Sequence, residues 1–311
     1  MEAQEAVAQR YEAPRTVDEA VALLAKHGAA ARVLAGGTDL LAQLKSGVRH
    51  PPVIVDLKRI EELMQVRETE GGLLIGAAVP AAELREHAAL RRWFPGLAEA
   101  VALIGSEQIQ GRASLGGNLC NASPAADTTP ALLVSEASVE IAGGAGRRRV
   151  PAGELCTAPG QTSLRAGELV TSIHLAAPPA RSADAYLRLI PRTEMDIAVV
   201  GAAVRVTLGP DGSCLAARVA LGAVAPTAIR VPDAEAALTG SRLDAAALAR
   251  LADAVRAAAR PIDDKRGSAA YRRQVVGVLA RRAAERALQR ARSEFTSEAR
   301  SESAARAKSN R

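Results

Sequence analysis

Residues 115–132, LGGNLCNASPAADTTPAL, limit what this chain can fold into more than any other stretch. They carry no apolar repeat of 2 or 3.6 residues, few charges, and many Gly, Asn, Ser and Pro, so the pattern predicts a loop that is neither helix nor strand. A long loop inside a compact domain is usually functional or disordered. Its side-chain amides (Asn118, Asn121), hydroxyls (Ser114, Ser123) and single carboxylate (Asp127) need partners, since each buried polar group left unpaired costs roughly 1–3 kcal/mol. A bound polar ligand would supply them. Asp127 has two readings: acceptor for a ligand hydroxyl or ring N–H, or cap of a helix starting near Thr129-Pro130.

A second glycine pair precedes it. In VLAGGTDLLAQLKSG, Gly36-Gly37 falls between a predicted strand and a predicted helix, with Thr38 or Asp39 as N-cap. Glycines let a ligand approach the backbone, and the free N–H groups of a helix start favour phosphate or pyrophosphate; the plain alternative is a tight strand-to-helix turn. The segment is not GxGxxG, and Asp56 sits inside VIVDL rather than at the end of the following strand, which argues against a nicotinamide dinucleotide site.

Around these loops the chain reads as alternating elements. Thr16-Val-Asp-Glu19 is a capping box opening a helix that closes at Gly28. ARVLA and VIVDL read as strands around the DLLAQLKSG helix. GLLIGAAV is a strand, AAELREHAALRRWFPGLAEAVALIG a helical stretch broken at Pro95-Gly96, and SVEIAG and ELVTSIHLA two more strands. Pro178-Pro179 marks a linker. Beyond it IAVVGAAVRVTL and LAARVALGAV form a hairpin about Gly209–Gly212, followed by three helical stretches, the last amphipathic and basic and expected to pack on the sheet rather than lie on a membrane.

Composition sets outer limits. With 311 residues and 48% hydrophobic content the chain can bury a core and divide into domains; no apolar run is long enough to span a bilayer, and the first residues lack a basic-then-apolar leader, so a cytoplasmic address is expected. The charge of +6 is gathered at Arg147–Arg149 and beyond Arg272; with 2% aromatics and no recognition motif it reads as a solvated basic face, with no nucleic-acid partner expected. Cys120, Cys156 and Cys214 are too scattered for a disulfide framework or a metal site. His27, His50, His87 and His174 have no catalytic setting and read as structural.

AGGTDL, GSEQIQGRASLGGNLCNASPAAD, RTEMDIAVVGAAV and LGAVAPTAIR, in this order, resemble the FAD-binding medium subunit of the molybdenum hydroxylases, the carbon monoxide dehydrogenase and xanthine dehydrogenase family, over roughly residues 10–290. The resemblance implies an α+β protein: a two-lobed FAD-binding domain of the PCMH type over 1–178 (lobes near 1–58 and 59–178), a smaller α+β domain of a β-sheet with packed helices over 183–290, and a tail over 293–311 expected to be disordered. By position it implies that Val33, Leu34, Ala35, Gly36, Gly37, Thr38, Asp39 and Leu40 cradle the FAD pyrophosphate. Ala113, Ser114, Gly117, Asn118, Asn121 and Asp127 would form the second wall, Ile104, Gly105, Ser106 and Ile109 the adenosine side, and Leu169 and Val170 apolar lining. Arg188 would stand near the flavin ring, or on a strand surface; Tyr186 would cover a ring face, or pack in the core. No catalytic side chain and no metal ligand is expected here. The implied role is electron transfer, with a molybdenum cofactor on a large partner, two [2Fe-2S] clusters on a small partner, and a dimer of heterotrimers. A self-sufficient FAD-dependent oxidoreductase of the same fold is the rival; it should show an acid/base set near the flavin.

Overall fold

The computed structural model describes residues 9–309, with side chains described as far as Ser293. The chain opens with β1 (Arg10–Glu12), α1 (Val17–His27), β2 (Ala31–Leu34), α2 (Leu40–Lys45) and β3 (Val53–Asp56). The strands form a parallel sheet in the order β1-β3-β2. As the capping box predicts, Thr16 Oγ1 accepts from Glu19 N at 3.1 Å, while the Glu19 carboxylate reaches back to Arg15 N at 2.8 Å. Gly28, at φ 50°, closes the helix by donating its N–H to Leu24 O. Val17, Ala20 and Leu24 on α1 bury against Val53, Val55 and Leu63, so the sheet is covered on the α1 side.

A second sheet follows. β4 (Val66–Thr69) and β5 (Gly72–Gly76) lead into six short helices, α3 (Ala81–Glu86), α4 (Ala88–Trp93), α5 (Pro95–Ala102), α6 (Glu107–Gln110), α7 (Leu115–Cys120) and α8 (Thr128–Val134). Then come β6 (Ser138–Gly143), β7 (Gly146–Pro151), the small hairpin β8 (Cys156–Ala158) and β9 (Gln161–Thr162), and β10 (Leu169–Ala176). The antiparallel sheet runs β4-β5-β10-β6-β7.

Three local expectations are corrected here. Residues 115–132 are not a loop throughout: Ser114 caps α7 by accepting from Gly117 N at 3.1 Å, and α8 occupies the end of the stretch. A helix of six residues is too short to show a 3.6-residue repeat, and its two glycines serve contacts described below. The helical run after Val79 breaks at His87 as well as at Pro95, because His87 Nδ1 accepts from Leu90 N at 3.4 Å and starts α4 afresh. The Arg147–Arg149 triplet is not simply a solvated basic face. It forms edge strand β7, and Arg147 and Arg148 pair with Glu140 and Glu168, both at 2.7 Å.

The third sheet is β11 (Ser182–Leu189), β12 (Val200–Leu208), β13 (Cys214–Gly222) and β14 (Ile229–Arg230), antiparallel in that order. It carries α9 (Pro232–Leu238), α10 (Ala245–Ala258) and α11 (Ala269–Ser309). The basic helix α11 packs on β11 and β12 through Val276, Ala280, Ala283 and Ala287, as its apolar stripe predicts. α11 continues as helix over residues 294–309, within the tail expected to be disordered; the side chains there and residues 310–311 lie outside the described residues. No helix among the described residues is long and apolar enough to cross a membrane.

β11 is the seam between the second and third sheets. At Gly96, in the first turn of α5, an added Cβ would lie 2.9 Å from the backbone of Ala185, so helix and strand touch backbone to backbone. Gly96 N donates to Asp184 Oδ1 at 2.8 Å. Glu99, one turn on, accepts from Tyr186 N at 3.0 Å and pairs with Arg286 and Arg290 of α11. Gly96→Ala should therefore destabilise the protein by about 1–3 kcal/mol, because neither backbone can yield. Denaturant unfolding measures it; a change below about 0.5 kcal/mol would mean the seam is looser than its geometry.

Candidate functional site

A cleft of about 650 Å³ opens between the parallel sheet, α7 and the segment leading into β10, within the range of roughly 300–1,000 Å³ occupied by small-molecule sites. Its first wall is built by β2. Strands β2 and β3 run parallel, so Ala35 emerges at the carboxyl end of the sheet, where ligands of such sheets bind. Val33, Ala35, Gly36, Gly37, Thr38, Asp39 and Leu40 all line the cleft.

The second wall is Ala113, Ser114, Gly116, Gly117, Asn118, Cys120 and Asn121. In each glycine pair the two residues do different work. A Cβ on Gly36 would sit 2.0 Å from the Arg112 carbonyl oxygen, and one on Gly116 would sit 2.5 Å from that of Ala77, so the first glycine of each pair permits contact between protein backbones. Gly37 supplies a turn at φ 80°, which L side chains avoid. Gly117 lines the cleft, and a Cβ there would meet the Ser114 hydroxyl at 3.0 Å and, at an ordinary 3.9 Å, the Ala35 methyl, with no backbone in the way.

The walls are tied together by Asn121 Nδ2, which donates to Asp39 Oδ1 at 3.2 Å. Asp39 holds the N-cap position of α2 without making the capping bond. Burial pushes its carboxyl above the usual carboxylate range. Thr128 Oγ1 donates to Asn118 Oδ1 at 2.6 Å, so Asn118 retains its N–H donors for a ligand.

A third wall escapes the sequence except for Leu169 and Val170. It comprises Gly160, Thr162 and Leu164 to Glu168. Arg148 fixes it, donating to Glu168 at 2.9 and 2.7 Å and to Ser163 O at 3.2 Å. The signal was the arginine triplet, but its acidic partners become visible only with the sheet register. Arg32, Arg49 and Arg165 also line the cleft and give it positive charge suited to an anionic ligand.

Seven expected residues do not line this cleft. Leu34 points into protein at 7% exposure. Ser106 caps α6, Gly105 turns at φ 56° against Ile109, and of that corner only Ile104 reaches the wall. Asp127 neither caps α8 nor opens onto the cleft: its two oxygens accept from Tyr186 Oη at 2.8 Å and Arg188 Nη1 at 2.6 Å. Tyr186 is buried in the core, and the Arg188 side chain is 6% exposed, so it is not on a strand surface either. Burial pushes the Asp127 carboxyl up, to about 6, against the pull of Arg188 and Tyr186.

Residues 5–178 match the family model for the FAD binding domain in molybdopterin dehydrogenase, and residues 185–287 match that for the CO dehydrogenase flavoprotein C-terminal domain. The chain belongs to the FAD-binding subunit family of the molybdopterin dehydrogenases. It is 35% identical to the carbon monoxide dehydrogenase medium chain of Afipia carboxidovorans, over 91% of this chain and 98% of that one. It is 33% identical to the 6-hydroxypseudooxynicotine dehydrogenase complex subunit alpha of Paenarthrobacter nicotinovorans, over 91% and 95%. The crystal structure of a Cu,Mo-CO dehydrogenase in a cyanide-inactivated form contains a chain that superposes with a TM-score of 0.87 at 35% identity, covering 91% of this chain and 98% of that one. The protein is thus an FAD-dependent oxidoreductase subunit with the α+β architecture of this family.

The cleft fits FAD on its own terms: a glycine turn at the carboxyl end of a parallel sheet, basic residues, and a position, Gly117, where a side chain would fill ligand space. Two substitutions separate the roles of the glycines. Gly117→Val should give folded protein depleted of flavin, whereas Gly36→Ala should fail to fold or lose several kcal/mol, its Cβ overlapping the Arg112 carbonyl. Flavin absorbance per protein and a thermal melt read both; normal flavin occupancy in Gly117→Val would remove Gly117 from the site. Arg188→Gln should destabilise by about 3–5 kcal/mol by leaving Asp127 buried and unpaired, and Asp127→Asn in the same chain should recover part of it. Additive losses in that double-mutant cycle would show the pair to be uncoupled.

Proposed function

We propose that this chain is the FAD-carrying electron-transfer subunit of a molybdenum hydroxylase. In this reading it works with a large subunit bearing the molybdenum cofactor and a small subunit bearing two [2Fe-2S] clusters, as a cytoplasmic dimer of heterotrimers. The observation that carries the reading is the cleft itself, in which both glycine segments converge with Asn118, Asn121 and basic residues from a third wall. Membership of the family and the relatives named as medium chain and complex subunit support the partnership.

Bound FAD supplies redox chemistry that no side chain of this protein offers. The chain's residues bind and orient it. Segment 35–40 brings backbone N–H groups and little side-chain bulk to the pyrophosphate, while Ser114, Gly117, Asn118 and Asn121 close the opposite side. Leu169 and Val170 exclude water along an apolar strip. Asp127, Tyr186 and Arg188 act together, fixing the third sheet against the segment that opens α8. Three cysteines, one of them in a separate core, cannot ligate a cluster that takes four, so in this reading the clusters that feed the flavin belong to another chain.

Anaerobic flavin absorbance tests this division of labour. The isolated chain should bind FAD and stay oxidised with carbon monoxide, hypoxanthine or an aldehyde, bleach with dithionite, and respond to the complex's substrate only after the cluster and molybdenum subunits are added. Reduction of the flavin by such a substrate in the chain alone would make it a self-sufficient oxidoreductase.

A further inference from the structure

Asp56, set aside above as the wrong acid for a nicotinamide dinucleotide, has a use of its own. It is the last residue of β3, not inside the strand as the run VIVDL suggests, because the strand stops one residue early; it lies beside Leu34 of β2 in the parallel register, and its side chain is 6% exposed. One oxygen accepts from Lys58 Nζ at 2.6 Å and from Lys58 N at 3.0 Å; the other accepts from Tyr11 Oη. Burial alone would push this carboxyl up, but the bonds from Lys58 and Tyr11 hold it below the usual carboxylate range. Thus gripped, the Lys58 ammonium donates a second bond, at 3.1 Å, to the carbonyl oxygen of Ala35.

That carbonyl is the last before the glycine turn. A peptide unit is planar and trans, so fixing the oxygen of Ala35 also fixes the N–H of Gly36, which points the opposite way. Lysine on its own would hold such a bond poorly, since its stem is flexible and its ammonium strongly hydrated; the Asp56 carboxylate removes that freedom. Lys58 does not itself line the cleft, and Ala35, Gly36 and Gly37 do.

We propose that Lys58, held by Asp56 and Tyr11, is a positioning residue for FAD: it fixes the Ala35–Gly36 peptide and so presets the turn that receives the diphosphate. The role rests on the reading of the cleft given above. It also explains an acid-lysine pair placed behind a loop that carries no acid toward the phosphate other than the tethered Asp39.

The test uses the full chain freed of flavin, with FAD titrated by fluorescence quenching, a thermal melt of the apoprotein, and amide hydrogen exchange over residues 36–40. Lys58→Met should weaken FAD binding about ten-fold, the loss of one charge-assisted hydrogen bond, and speed exchange of those amides; it also leaves the buried Asp56 carboxylate without its cation, so Asp56→Asn in the same chain should recover the apoprotein melt but not the affinity. Lys58→Arg should restore most of the affinity, and Gly117→Val serves as the marker for the cleft. Wild-type affinity in Lys58→Met with loss in Gly117→Val would overturn the role of Lys58 while leaving the cleft intact. Wild-type affinity in both would remove the cleft, and this inference with it. Affinity that returns together with the melt in Lys58→Met/Asp56→Asn would reduce Lys58 to a structural residue.

Discussion

The cleft exists because the backbone at Gly36 lies against the carbonyl of Arg112. At that point the turn leaving the parallel sheet crosses the segment that leads into α7, so closely that no side chain fits between them. The first two walls of the ligand space are set by this crossing. It puts Ala35 to Leu40 opposite Ala113 to Asn121 and brings Asp39 within reach of Asn121. A similar contact, Gly116 on the Ala77 carbonyl, seats α7 against the end of β5. Glycine is required here for two physical reasons at once: protein backbones must touch behind the site, and ligand must touch backbone in front of it.

The third sheet is held by a different force. Along β11 three carboxylates cross the seam, Glu99 and Asp127 from the second sheet's helices and Asp184 from the strand itself. Glu99 and Asp127 are satisfied by N–H or O–H donors as well as by arginine, the condition under which a buried charge is tolerated. Asp184 accepts from Gly96 N with one oxygen while the other is buried without a hydrogen-bond partner, and burial pushes its carboxyl up to about 6. Buried apolar surface is continuous across the same seam, since Tyr186, Ala203 and Ala220 belong to the core of the second sheet. The polar contacts therefore fix register and angle, while the apolar core supplies most of the driving force.

Asp127 shows how local and global demands compete at one residue. From its neighbours it should cap α8 or meet a ligand; it does neither within the cleft, because Tyr186 and Arg188 arrive from a strand about 60 residues on. The same holds for Arg148. In the sequence it is one of three adjacent arginines, and in the sheet it becomes the strap that holds Glu168 and the third wall of the cleft.

The sequence by itself determined the elements whose causes are local. The Thr16 cap and Gly28 stop of α1, the glycine turn after β2, the β12–β13 hairpin and the apolar stripe of α11 follow from spacing and turn chemistry over a few residues, and the ordered motifs pointed to the flavin family. Only the tertiary structure decided which glycine packs and which faces ligand, where Asp127, Tyr186 and Arg188 go, and that residues 160–168 form a wall. Those outcomes depend on contacts between segments tens of residues apart, and neither periodicity nor propensity, which act along the chain, carries information about what lies across it.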